Sequence, residues 1–201
     1  MNLSRNKTII IVIVALLAII AASPVLQRVL VYPQTDFFTE MYLLDSQHKT
    51  DNYPYNIARN VNYNVYLGLT NQLGNSANYQ IQVKFRNALQ SAPDSLQNTP
   101  SSLPSLYNVE TTVADKANWE LPITFSLDYS LASADQINFN SLTFNDQHLS
   151  LNGLSTKFNS TTGIFYGNLI FELWIYNSAA NTYQYHERFV DLKLSITTTG
   201  L

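Results

Sequence analysis

The chain is 201 residues long, carries a formal net charge of -3 and has no cysteine, so disulfides are excluded whatever the redox state around it. Charged residues are 12% of the chain, against roughly 25% in an ordinary soluble domain; Asn, Gln, Ser, Thr and Tyr take their place, and such a surface tolerates wide swings of pH because few groups titrate. All fourteen acids lie after residue 35, where only eight bases face them once Arg5, Lys7 and Arg28 are set apart. A balance near -6 argues against nucleic acid as a partner, which needs a basic patch.

Thr8 to Leu26 is an almost unbroken aliphatic run without a charge, about the 20 residues that a helix needs to cross a membrane core. It is apolar on every face, unlike the amphipathic helix of a soluble core. A cleaved secretory signal shares the basic start (Arg5, Lys7), the apolar stretch and the small residues Ala21-Ala22-Ser23. Against cleavage, Pro24 would follow the cut and apolar character resumes at Val25-Leu26 and Val29 to Val31. The run is therefore read as a retained anchor over residues 8–31, in contact with membrane lipid. Arg5 and Lys7 place residues 1–7 in the cytoplasm, and the remainder, 33–201, outside the cell membrane.

Beyond the anchor the periodicity is that of strands. Asp36 to Leu44 is a short candidate. Val61, Tyr63, Val65, Leu67 and Leu69 alternate with polar or small neighbours, and Tyr79, Ile81, Val83 and Phe85 do the same. The loop Asn71 to Asn78, with Gly74-Asn75 inside it, predicts a hairpin between these two. Ser91 to Pro104 is rich in Pro and Ser and predicts a long excursion across the surface. Asn108 to Val113 follows, then the alternation of Leu121, Ile123, Phe125, Leu127, Tyr129 and Leu131. Gln136 to Phe144 and His148 to Leu154 are further candidates. Ile164 to Tyr176 is apolar on both faces, as a central strand is, and Val190, Leu192, Leu194 and Ile196 close the series. The expected fold is all-β: one antiparallel Ig-like β-sandwich preceded by a single transmembrane helix.

Chemistry-bearing constellations are absent. His48, His148 and His186 lie in different segments without metal-ligand spacing, and turn or strand-edge positions are their ordinary explanation. Glu172, near Glu187 and Asp128, could form a carboxylate pair for glycoside hydrolysis, but a salt bridge or an exposed strand position is the commoner role. Asp45 and Asp51 flank a turn without the spaced acidic loop of calcium motifs. No nucleophile elbow and no phosphate-binding glycine loop occurs. Neither catalytic residues, nor a metal, nor a cofactor is expected.

Aromatic residues are the surplus, with 13 Tyr and 10 Phe. Tyr53, Tyr55, Tyr63 and Tyr66 group together, as do Trp174, Tyr176, Tyr183 and Tyr185. Half-buried strand faces suit aromatics, yet an exposed row, with Trp174, Tyr183 and Tyr185 foremost, could anchor another membrane or cell-surface protein. Asn159-Ser160-Thr161 is an N-glycosylation sequon in a polar turn; Asn2 and Asn6 also match, but on the cytoplasmic side.

From Phe38 the chain reads FTEMYLLDS, then Tyr53-Pro54-Tyr55-Asn56, VYLGLTN over residues 65–71 and YQIQV over 79–83. LIFELWIY over 169–176 and YHERFVDLKL over 185–194 close it. Across about residues 33 to 196 this resembles the archaeal membrane-associated family known as domain of unknown function sixteen-sixteen. There an FTE strand follows a membrane helix, a YP-x-N turn leads into the next strand, and a similar hairpin ends the domain. Two departures stand out: many members carry several membrane helices, where this chain has one, and Asn87 to Asn118 is longer than that family's core needs. The resemblance implies fold, archaeal membrane context and topology, and transfers no catalytic residue. Three functions follow as expectations: a non-enzymatic binding or structural domain at the cell surface, an accessory subunit of a larger membrane complex, or, least favoured, an extracellular hydrolase.

Overall fold

Alternating apolar side chains have nowhere to go but one face of a strand, and in the computed structural model of the chain, which describes residues 3–30 and 37–198, they line the inside of two sheets. One helix comes first, α1 (Leu3–Leu30). Ten strands follow: β1 (Phe38–Leu44), β2 (Asn56–Ile57), β3 (Tyr63–Gln72), β4 (Ala77–Asn87), β5 (Tyr107–Val113), β6 (Asn118–Ser133), β7 (Gln136–Phe144), β8 (Gln147–Lys157), β9 (Phe165–Asn177) and β10 (Thr182–Ile196). The chain divides into two units, Met1–Phe37 and Phe38–Leu201.

In the first unit, the aliphatic side chains from Ile9 to Ile20 are exposed. Among the described residues no helix is long and apolar enough to cross a membrane. The anchor expected over residues 8–31 ends at Val31, which lies outside the described residues.

In the second unit the first sheet runs β1-β3-β6-β7-β8 and the second β2-β10-β9-β4-β5. Between them Leu67, Ile81, Phe125, Leu127, Phe139 and Phe171 are fully buried, each worth about 1.5–3 kcal/mol of transfer from water. The expected strand alternation holds over Ile123 to Tyr129, and β7 keeps the expected bounds. β9 is the central strand that its two-faced apolar character implies: seven of its residues, Gly167 to Leu173, are buried in succession.

Three expectations are corrected. The loop Asn71 to Asn78 does not close a hairpin, because β3 pairs with β1 and β6 while β4 pairs with β5 and β9. The chain instead crosses from one sheet to the other at a corner built by Asn71. Its Nδ2 donates to the carbonyls of Asn75 and Val113, both at 2.8 Å, and its Oδ1 accepts from the N–H of Leu73 at 3.0 Å. The returning crossover from β5 to β6 runs beside it, joined by Lys116 N–H to Asn71 C=O at 2.8 Å and by Gly74 N–H to Asp115 Oδ1 at 2.8 Å. The sandwich is also not wholly antiparallel, since the short β2 pairs in parallel with Ser195–Ile196 of β10. Finally, Leu131 does not continue the buried alternation: it is exposed near the end of β6, just before the register against β7 shifts between Leu131 and Ser133.

Candidate interaction surface

The outer face of the second sheet carries an arrangement unlike the rest of the molecule. On β4 and β9, side chains of even-numbered residues point outward, since the odd-numbered Tyr79 to Phe85 and Phe165 to Leu173 fill the core. This puts Lys84 and Glu172 side by side on neighbouring strands. Nζ and Oε2 stand 2.8 Å apart, with side chains only 3% and 0% exposed. Bare, that face would leave both charges in water. The segment 88–106 dries it: Ser101 C=O accepts from Lys84 Nζ at 2.9 Å, and Ser101 N–H donates to Glu172 Oε1 at 2.8 Å. The ion pair is thus a clamp that grips the segment through one peptide unit on each side of Ser101.

The rest of this strap is held by its own turn chemistry. Asn87 Oδ1 accepts from the N–H groups of Leu89 and Gln90, and Leu106 N–H returns to Val83 C=O at 2.8 Å. Between them Asp94 and Thr99 exchange two backbone hydrogen bonds of 2.8 and 2.9 Å. Asp94 Oδ1 accepts from Leu96 and Gln97 N–H, and Asn98 takes a left-handed φ of 51°, a conformation that asparagine tolerates better than most residues. The consequence is a small, closed hairpin that presents Leu96 at 99% exposure. Nearby along the strap, Leu89 is 85% exposed.

Of the expected partner-contact residues, Trp174 and Tyr185 pair edge to face at 5.9 Å and Tyr176 and Tyr183 at 5.4 Å, each pair across the β9–β10 ladder. They do not form an exposed row. Trp174 and Tyr185 are half-buried, and among the described residues neither Trp174 Nε1 nor the Tyr185 hydroxyl finds a hydrogen-bond partner. Burial pushes the Tyr185 phenol up, and the charges of Glu172, Asp94 and Glu187 reinforce it. Tyr183 lines a shallow cleft with Asn78, Glu110, Thr111 and Thr112. The other aromatic group is dispersed: Tyr53 donates to Leu43 C=O, Tyr63 bonds Ala58 N–H, and Tyr66 stacks on His48 at 3.9 Å.

The remaining candidates stay apart. His48 pairs with Glu120 at 3.0 Å on the first sheet, His148 is exposed, and His186 Nε2 meets Thr39 Oγ1 at 2.9 Å inside the sandwich. Glu172 is committed to Lys84, whereas Asp128 lies on the first sheet. Partial burial works to raise the Asp128 carboxyl, but hydrogen bonds from Arg59 and Asn140 and the Arg59 charge outweigh it and hold the carboxyl low. Asp45 Oδ1 accepts from Gln47 and Lys49 N–H, so it caps a turn; Asp51 instead accepts from Asn52. Among the described residues no group of three or more His, Cys, Asp or Glu could hold a metal. A groove of about 340 Å³ lies between Leu43, Tyr53 and Phe189 to Leu192 of β10 and gathers no pair of catalytic groups. Asn159 is exposed in the turn between β8 and β9.

The profile of the family described as Domain of unknown function (DUF1616) matches residues 33–161, and the chain belongs to that family. A search of curated protein sequences finds no match. Among solved structures, β-glucosidase from Listeria innocua in complex with glucose is similar at 7% identity and a TM-score of 0.37, over 85% of this chain and 17% of that one; its complex with gluconolactone gives 8%, 0.37, 82% and 17%. The ASH / PapD-like domain of human CEP192 (PapD-like domain 7) is similar at 9% identity and a TM-score of 0.32, over 86% of this chain and 94% of that one. The chain spans under a fifth of the length of the β-glucosidase.

Proposed function

We propose that this DUF1616 protein is a membrane-anchored, extracytoplasmic β-sandwich of immunoglobulin-like type that works by binding another membrane or cell-surface protein, without catalysis. The observation that carries the reading is Leu96. A leucine at 99% exposure gains nothing for the fold, yet two backbone hydrogen bonds, an aspartate cap and a buried ion pair hold its hairpin in place. Ordering a loop costs about 1–2 kcal/mol per residue in backbone entropy, and an apolar knob fixed in advance spares that cost on binding. The anchor is favoured by the aliphatic side chains exposed along α1 from Ile9 to Ile20, which no soluble helix leaves in water on every side, and the basic flank of Arg5 and Lys7 favours an outward body.

A photo-crosslinking side chain at position 96 tests this in intact cells, with one at Lys157 on the opposite sheet as control. The expected result is a discrete protein adduct from position 96 only. Leu96→Asp should abolish co-purification of that protein in mild detergent while leaving the denaturant midpoint unchanged. Equal crosslinking from both positions, or an unaltered partner with Leu96→Asp, would overturn the reading. If the adduct is a subunit that stays bound through purification, the accessory-subunit form of the function is the right one; a separate surface protein favours the free-standing module.

A further inference from the structure

We infer that Asn159 is a site of N-linked glycosylation, taking an oligosaccharide from a lipid-phosphate-linked donor; this rests on the outward orientation proposed above. The inference comes from comparing the turns in which this chain uses asparagine. Four asparagine side chains cap a turn by accepting the N–H two residues on: Asn71 from Leu73, Asn87 from Leu89, Asn159 from Thr161 and Asn177 from Ala179. Three of them also spend their amide nitrogen on the fold. Asn71 Nδ2 donates to Asn75 and Val113 C=O, Asn87 Nδ2 to Ser155 C=O, and Asn177 Nδ2 to Gln184 Oε1. Among the described residues, Asn159 Nδ2 donates to none. It is also the one of the four with a hydroxyl residue at the second following position, which a sequon requires.

The surrounding turn holds this group for a transferase. Asn159 N–H and C=O are bonded to Ile164, Thr162 and Gly163, and Gly163 adopts the positive φ of 73° that closes the turn. Phe158 and Phe165 meet edge to face at 5.2 Å at its base. Residues 157–163 are all exposed, so the amide is reachable after folding. The turn precedes β9, at the opposite end of the sandwich from Phe38, where the chain enters β1 beside the end of β3. In the transfer, Nδ2 loses a proton and bonds to C1 of the first sugar, while the C1–O bond breaks and its electron pair leaves on the lipid phosphate.

The full chain, produced in its native host with a sequon-bearing tail fused after Leu201, is measured by intact mass and by glycopeptide sequencing. The expected result is an oligosaccharide on Asn159 in most molecules, lost in Asn159→Gln and in Thr161→Ala and retained in Thr161→Ser. Thr161→Ala leaves the capping asparagine in place, so its loss of glycan is not a folding effect. A glycan on the tail with an unmodified Asn159 overturns the inference and leaves the outward orientation standing. Bare asparagine at both sites overturns both.

Discussion

On the first sheet, polar side chains of the outer face meet one another in water. Arg59 and Asp128 approach to 2.7 Å with side chains 45% and 28% exposed, Asn64 bonds Thr124, and His48 meets Glu120. On the second sheet the Lys84–Glu172 pair has a similar separation but almost no contact with solvent, because the strap lies over it. An ion pair in water is worth about 0–1 kcal/mol. A buried one repays its desolvation only when further hydrogen bonds reach both partners, and Ser101 supplies one to each charge here. The same residue types therefore decorate one sheet and fasten a loop to the other.

The largest expected effect follows from that difference. Glu172→Ala leaves the Lys84 ammonium buried and unpaired and should cost about 3–5 kcal/mol, read as a lower denaturant midpoint. The strap should also become the first site cut by a protease. Lys84→Met with Glu172→Leu should recover much of the loss, since an apolar pair needs no partner, but not all: Ser101 keeps a buried N–H and C=O without acceptor or donor, at about 1–3 kcal/mol. If Glu172→Ala costs no more than a change on the first sheet, the clamp is not what holds the strap.

This contrast marks where the sequence stops being readable. Inner faces are legible because a period of two reports burial directly, and β6, β7 and β9 appear there with bounds close to those of the structure. Glu172, inside LIFELWIY, is visible as an acid in an apolar strand, but Lys84 in QVKFR looks like an ordinary outward lysine. Only the register that brings Ile81 opposite Leu173 puts the two side by side, and register is a long-range property that alternation does not encode. The Asn71 corner fails for a related reason: Gly74-Asn75 signals a turn, yet the same local signal serves a hairpin or a crossing between sheets. Ser91 to Pro104 is legible as a surface excursion, while its grip on a buried pair is not.

A second prediction contrasts the sandwich interior with both outer faces. His186 lies between the sheets with Thr39 and Tyr79, while Arg188 and Glu187 flank it on β10. Burial chiefly, and then the Arg188 charge, hold its pKa below the ordinary 6.5, against a smaller opposing pull from Glu187. The folded state therefore binds this proton less readily than the unfolded chain. Stability is whole above about pH 6.5 and falls as the pH drops toward the depressed folded value. His186→Gln should flatten the loss of denaturant midpoint between pH 7 and pH 5. An unchanged slope would place the pH sensitivity elsewhere.

The smallest effect belongs to the exposed counterpart of the clamp. His48 sits in a turn with a φ of 58° and stacks on Tyr66 at 3.9 Å, and Glu120 reaches its Nε2 from β6. Water surrounds both side chains, so Glu120→Gln should change stability by no more than about 1 kcal/mol. Stacking and the turn remain when the charge is gone. At 1 M salt the Debye length is about 3 Å, so whatever remains of the difference between Glu120 and Gln should fade there. The loss from Glu172→Ala should persist in the same buffer, because ions do not enter a dry pair. A Glu120→Gln cost of several kcal/mol, indifferent to salt, would mean that the first sheet too has a face that is protected from water, and the distinction between the two sheets would fail.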